Sequence, residues 1–436
     1  MKHLNHLYLF IFSVFCLTLA ACESSTGYSP SASTVATAGP SPLSSAQVAN
    51  GTGTTTLSPG TQTVTGASTQ QQPLTGFEQV QGTGSLASPG QAPVAFPVTP
   101  AAPVKIAVLL PLSGKDAALG QAMLQSAQMA LFDIGENAFE IMPRDTAGGA
   151  RNAAQSAIAE GAKLILGPVF AADVREAKAV AQSAGINMIA FSTDWTLAGG
   201  NTFIMGFMPF DQTTRVIDYM RGRGANHIGA ITPSSQYANA VINTFRNKMG
   251  TSVIATDVAT INNTSDIPAT VQNFAKQATM PFDAVLLPIG GTNAIAVADA
   301  LTQNGMPPER VRRIGTGLWE DPSLATAASL QGALFAAPAP AERQKFESRY
   351  NQLYSAVPPR LASLAYDATA LAAVLARSGN FDRAAITNPN GFTGVDGIFR
   401  FRNDGLAERG LAVLELKNGK INLIEPAPRT FQSQMN

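Results

Sequence analysis

The chain has 436 residues, with 29 Lys+Arg against 29 Asp+Glu and a formal charge of zero. That balance excludes bulk electrostatic partners such as nucleic acid or an anionic membrane surface. Charged residues are 13% of the chain, about half the usual share, and the deficit is local: between Lys2 and Lys105 the only charged residues are Glu23 and Glu78.

The N-terminus reads as an address. Lys2 precedes an apolar run over residues 7–19, 13 long, which suits a signal h-region and is short for a bilayer span. Leu19-Ala20-Ala21-Cys22 follows and resembles a bacterial lipobox. The resemblance implies cleavage before Cys22, a diacylglycerol on its thiol and acylation of the new amine. Several acyl chains, at roughly 0.8 kcal/mol per buried methylene, anchor firmly. An ordinary secretory signal with an incidental cysteine is the alternative. Glu23 in place of an Asp resembles the outer-membrane sorting pattern, which implies the inner leaflet of the outer membrane, facing the periplasm.

Residues 23–103 are mostly Ser, Thr, Gly, Pro, Ala and Gln, with GTG…SPG at 51–60 and again at 82–90. Too little apolar surface is present to offset ordering entropy, so a disordered tether is expected. As a flexible coil it averages about 50 Å end to end, and fully extended it reaches roughly 270 Å. Such a tether lets its cargo range across the periplasm; a neutral spacer of untuned length is the alternative.

At Val104 the pattern changes. Val104–Leu110 is a short apolar run ending in Pro111-Leu112-Ser113-Gly114, which predicts a buried strand and a turn. Strands at 139–142, 163–166 and 187–191 alternate with helices at 117–134, 150–159 and 172–184. The alternation repeats with strands at 227–231, 253–257, 284–287 and 311–315, separated by helices near 235–248, 266–278 and 292–304. Two further helices are expected at 341–355 and 361–378. Strands at 411–417 and 420–424 around Asn418-Gly419 predict a β-hairpin. Strand–helix alternation means parallel sheets covered by helices, and two such series mean two lobes.

Residues 104–114 (VKIAVLLPLSG), with Gly120 entering the first helix, 161–169 (GAKLILGPV) and 186–194 (INMIAFSTD) resemble the type I periplasmic binding-protein fold. LLPLSG with LILGP and IAFS is more closely similar to the penicillin-binding-protein activator lipoproteins, and the similarity spans residues 104–426. The resemblance implies an α/β fold of two doubly wound parallel-sheet lobes joined by three crossovers, here near 202–209, 334–340 and 392–401. The organisation is then a leader at 1–21, lipidated Cys22 and linker to 103, a bilobal unit at 104–426 and a tail at 427–436. Lobe one is about 104–209 with 337–392, and lobe two about 210–336 with 393–426.

Ligands of open parallel sheets sit beyond the carboxyl ends of the strands, where helix N-termini offer free N–H groups. That rule selects Ser113, Gly114, Phe170, Ala171, Ser192, Thr193 and Asp194 from lobe one. From lobe two it selects Gly290, Gly291, Thr292, Trp319 and Glu320, with Asp211 and Gln212 after the first crossover. In amino-acid receptors of this fold, hydroxyl residues after the third strand hold the ligand carboxylate. Here that loop is Phe170-Ala171-Ala172, without a hydroxyl, and Asp194 repels a carboxylate at close range. Asp211 matches a position able to meet a ligand ammonium. Each residue also has a plain structural role: Ser192 and Thr193 as turn or cap residues, Asp145 as a cap, Trp319 as core, His227 as a satisfied strand-end histidine. Arg221 and Arg223 suit a helix C-terminus, and Arg310, Arg312 and Arg313 suit a solvated face.

Cys16 and Cys22 are the only cysteines, and His227 is the only histidine after His6. From Val104 onward there is thus no disulfide, Cys-based zinc site, catalytic thiol or multi-histidine metal site. No G-x-S-x-G, S-x-x-K, H-E-x-x-H or P-loop occurs, so no catalytic residue and no cofactor is expected. Two functions remain. The family resemblance implies a lipoprotein that contacts and regulates a peptidoglycan synthase, a penicillin-binding protein. The alternative is a solute receptor, most plausibly for amino acids, serving ABC transport or sensing through a cleft ligand.

Overall fold

The computed structural model describes residues 103–135, 139–252 and 257–431. The leader, Cys22, the linker to residue 102 and residues 432–436 lie outside the described residues, as does most of the strand expected at 253–257.

Strand β1 (Val104–Leu110) leads through a tight turn into α1 (Ala117–Ile134), then β2 (Phe139–Asp145), α2 (Ala150–Ala159), β3 (Leu164–Leu166), α3 (Ala171–Ser183), β4 (Asn187–Ala190) and β5 (Thr202–Ile204). The strands form a parallel sheet in the order β2-β1-β3-β4-β5. Ile106, Val108 and Leu110 face one core and Ala107 and Leu109 the other. Successive side chains alternate across a strand, so a strand covered on both faces is apolar throughout. A Cβ on Gly120 would lie 2.0 Å from the carbonyl oxygen of Pro111. Only glycine lets α1 approach the turn this closely.

The chain then crosses to α4 (Pro209–Gly222), β6 (Ile228–Pro233), α5 (Gln236–Met249), β7 (Val258–Ile261), α6 (Ile267–Gln277), β8 (Ala284–Leu286), α7 (Gly291–Gln303), β9 (Arg312–Gly315) and β10 (Ala333–Ala337). It returns as α8 (Pro340–Tyr354), α9 (Ala362–Ser378), α10 (Arg383–Ile386), β11 (Phe392–Gly394), β12 (Gly397–Phe401) and β13 (Ala407–Arg409), and ends in β14 (Ala412–Lys417) and β15 (Lys420–Glu425). The second sheet has the order β15-β14-β10-β9-β8-β6-β7. It is parallel from β10 to β7, and the terminal hairpin adds to it antiparallel. Asn418 and Gly419 turn that hairpin with φ of 53° and 73°, the positive pair that Asn-Gly supplies readily. The two sheets, each covered by helices on both faces, are the two expected doubly wound lobes.

The lobe boundaries differ from the sequence pattern in one place. The third crossover is expected near 392–401, yet those residues form β11 and β12, and Phe392, Phe399, Phe401 and Ala407 pack in the first lobe's core with Ile106 and Phe203. The chain passes to the second sheet only after Arg409. The aromatic spacing of β12 explains this: Phe399 and Phe401 share one strand face, and the first lobe supplies the apolar surface that covers them. Helix α9 is the other determinant of that lobe. Its 17 residues include 14 that are buried, and a helix apolar all round belongs inside; it packs between α1 and the first sheet.

Candidate functional site

The carboxyl ends of the strands carry the residues selected from sequence, and each one's bonds can be read. Ser113 donates through Oγ to Asp145 Oδ2 at 2.5 Å, and the Leu112 N–H donates to Asp145 Oδ1 at 2.9 Å. Asp145 also caps its own turn through the Ala147 N–H. These bonds, that of Ser113 foremost, hold its carboxyl below the usual range. Ser192 is buried and accepts from the Asp194 N–H at 3.0 Å. Asp194 accepts from the N–H and hydroxyl of Thr196 and pairs with Arg175 at 2.7 Å. Thr193 is exposed beside them, and Thr292 is exposed in the first turn of α7. Gln212 is buried and accepts from the Gly317 N–H at 2.8 Å. Trp319 is fully buried, donates from Nε1 to the Ile289 carbonyl at 2.7 Å, and packs edge-on to Phe335. It is core, not cleft wall. The candidates thus form separate local networks and do not converge on one point.

The dense polar cluster lies instead where the lobes meet. Arg360, between α8 and α9, reaches from the first lobe to Glu320 of the second, Nε to Oε2 at 3.2 Å. The same guanidinium is 3.0 Å from Asp396 Oδ1 and stands 3.8 Å from the ring centroid of Phe207, a residue of the first crossover. Ser363 donates to Asp396 Oδ2 at 2.6 Å. Arg409 is the second cation: its guanidinium lies 5.0 Å from the Phe207 ring and 5.3 Å from the Phe399 ring, and 3.8 Å from Asp367 Oδ2. Its backbone N–H donates across the junction to Asp211 Oδ2 at 3.1 Å. Asp367 and Asp396 are both fully buried. Asp367 accepts from the Val395 N–H at 2.7 Å, and a Cβ on Gly394 would lie 2.5 Å from its carboxylate. The glycine is what lets this strand end meet the acid.

Charge and burial set the protonation preferences here. Burial pushes Asp211 up to about 7. Burial, with the neighbouring charge of Asp396, pushes Asp367 up to about 7. Asp396 is equally buried, but Arg360 and Arg409 outweigh that cost and hold it below the usual carboxylate range. Burial disfavours the charge on Arg360, yet Asp396 and Glu320 raise its basicity further. The arrangement is one ionised acid between two arginines, with a second acid kept closer to neutral.

Arg360, Asp367, Asp396 and Arg409 are not among the residues selected from sequence. A signal exists for one: Asp367 interrupts the otherwise apolar run of α9, and a lone acid there must find a partner. Elsewhere, His227 is a structural histidine as expected, 3.1 Å from Asp257, 3.0 Å from the Pro281 carbonyl and stacked on Phe282. In the basic run Arg310 is exposed as expected, and Arg313 departs from the expected solvated face. Arg313 is fully buried and donates to the carbonyls of Val311, Ala298 and Met306 and to the Thr302 hydroxyl, filling the acceptors at the end of α7. Among the described residues no helix is long and apolar enough to cross a membrane.

The folded unit is similar to several known proteins. A candidate branched-chain amino acid ABC transporter from Rhodospirillum rubrum matches with TM-score 0.64 at 18% identity, over 74% of this chain and 100% of that one. The C-domain of LpoA from Haemophilus influenzae, a regulator of PBP1A, matches with TM-score 0.58 at 17% identity, over 73% and 99%. Full-length LpoA matches with TM-score 0.59 at 19% identity, over 74% of this chain and 59% of that one. At these identities the likeness is one of fold. An uncharacterized protein of Rickettsia prowazekii is 25% identical over 146 residues, 33% of this chain and 39% of that relative, so the match spans well under half of the relative's length. The family of periplasmic binding proteins matches residues 103–420, nearly the whole two-lobed unit with both sheets and the junction between them, and the chain belongs to that family.

Proposed function

We propose that this protein is a periplasmic lipoprotein, held by Cys22 in the inner leaflet of the outer membrane, that regulates a penicillin-binding peptidoglycan synthase by protein contact. The observation that carries the reading is the Arg360–Glu320 bridge. It spans the junction where a receptor of this fold would take a solute, and the acids and the amide among the candidates, Asp194, Asp211 and Gln212, are bonded within the chain. Recognition of a free amino acid needs an open acid for the ammonium and open donors for the carboxylate. Glu320, Asp194 and Gln212 already have internal partners. The fold shared with LpoA, described as a regulator of PBP1A, supports the same reading. The tether expected over 23–103 supplies the reach from one membrane toward the other.

The test uses the detergent-solubilised full chain with a bifunctional penicillin-binding protein in a glycan-polymerisation assay, with co-purification as a second readout. Stimulation together with saturable binding is expected; neither one occurring sinks the proposal. Cells carrying Cys22→Ser should lose membrane association on fractionation. The solute-receptor reading has one observation in its favour, the likeness to a candidate amino acid transporter protein. Calorimetry against an amino-acid panel decides it, and micromolar binding would restore it.

A further inference from the structure

A second feature at the strand ends of lobe two is independent of the synthase reading. A cavity of about 280 Å³ opens between the first turns of α6 and α7, lined by Pro233, Ile261, Asn262, Asn263, Thr264, Ile267, Ile289, Asn293 and Val297. Every one of these residues belongs to the second lobe. The cavity lies on the face of the sheet that α6 and α7 cover together, at the carboxyl ends of β6, β7 and β8. Ligands of open α/β sheets sit beyond the carboxyl ends of the strands.

The lining narrows the chemistry. It holds no ionisable side chain, so an ion or a free amino acid meets no countercharge. It holds three carboxamides and a hydroxyl, so a purely apolar guest strands polar groups. Asn263 turns its amide nitrogen to Asp266 at 3.3 Å, which leaves its oxygen as an acceptor. Asn262 and Asn293 make no side-chain hydrogen bond to any described residue and are exposed. Beneath them lie Ile261, Ile267, Ile289 and Val297. Carboxamides both donate and accept, which matches another amide carried on a ring with one apolar face. The volume is just under the range of small-molecule sites, about 300–1,000 Å³, which limits the guest to about one sugar ring in size. We propose that this pocket binds one ring of a neutral acylamino sugar.

The experiment titrates N-acetylglucosamine into the detergent-solubilised full chain and follows binding by saturation-transfer NMR, with glucose and leucine as parallel probes. Saturable binding of N-acetylglucosamine is expected, weakened roughly fivefold by Asn262→Ala and again by Asn293→Ala, the loss of one neutral hydrogen bond each. Both residues are exposed, so the variants should keep the wild-type melting temperature and the comparison stays interpretable. No saturation into tens of millimolar, binding indifferent to both variants, or leucine or glucose binding as well as the acetylated sugar would each overturn the proposal.

Discussion

Replacing Arg360 with Ala tests the junction directly. Asp396 is fully buried, and once the guanidinium is gone it keeps the Ser363 hydroxyl bond and the more distant charge of Arg409. Removing one partner of a buried ion pair strands the other charge, at about 3–5 kcal/mol. The pair here is asymmetric, with the arginine side chain 26% exposed and the aspartate 0%, so the lower end of that range applies. For a unit of roughly 320 residues, with unfolding entropy near 2.1 cal/mol/K per residue, 3 kcal/mol lowers the melting temperature by about 4–5 °C. The lost stacking on Phe207 adds to this by less than about 1 kcal/mol where the ring is partly wet. Differential scanning calorimetry reads the shift. The double variant Arg360→Ala with Asp396→Ala should recover part of the loss, because the stranded aspartate is then gone, while Arg409 loses one of its supporting acids. Glu320→Gln should cost under about 1 kcal/mol, since that carboxylate is 28% exposed and solvent screens it. A single variant that melts within about 1 °C of wild type, or a double variant no better than the single, would refute the assignment of Asp396 as dependent on Arg360.

Two further outcomes are expected. Asp211 and Asp367 are each raised to about 7, so the folded chain holds protons there that the unfolded chain releases near 4. Their stabilisation is complete below the unfolded value and is lost as pH rises through about 7; urea midpoints should therefore fall between pH 5 and pH 8, and Asp211→Asn and Asp367→Asn should each flatten the slope, whereas unchanged slopes contradict the burial argument. Trp319→Ala should destabilise by about 3–5 kcal/mol through the cavity it leaves, and a loss under about 1 kcal/mol in urea unfolding would mean that the ring is not the packed core element its full burial indicates.

What was legible in the sequence follows from range. The strand at Val104–Leu110 and the helices at Ala117–Ile134 and Ala150–Ala159 depend on local periodicity, and all three match. Asn418-Gly419 predicts its own turn, because two positive φ angles are a local demand. Strand β5 lies inside one expected crossover and β10 overlaps another: at three and five residues, neither is long enough to show a period. The lobe membership of β11–β13 depends on which distant surface covers Phe399 and Phe401, and local pattern carries no trace of it. Among the site residues the same division holds. The capping role of Asp145 is local and expected. The pairing of Arg360 with Asp396 joins two loops through the fold, and sequence spacing cannot foresee it. Arg313 is the sharpest case: three arginines within four positions look like a wet surface, yet the strand alternation of β9 sends one of them into the acceptors at the end of α7.

The composition of the junction bears on what the fold does with its cleft. An apolar plug of similar volume would join two lobes at least as stably, since desolvating charges is costly and a buried ion pair is often no better than a hydrophobic replacement. Charges differ in directionality. Apolar surfaces tolerate sliding, whereas Arg360 meets Glu320 and Asp396 together only within hydrogen-bond range, and Asp211 meets the Arg409 N–H only at one relation of α4 to β13. Two cations stacked on the same Phe207 ring, itself on a crossover, tie that relation to the hinge. A receptor that closes on its solute needs lobes whose contact depends on the guest. Here the bridging cation belongs to the chain itself, Arg360 reaching Glu320 of one lobe and Asp396 of the other.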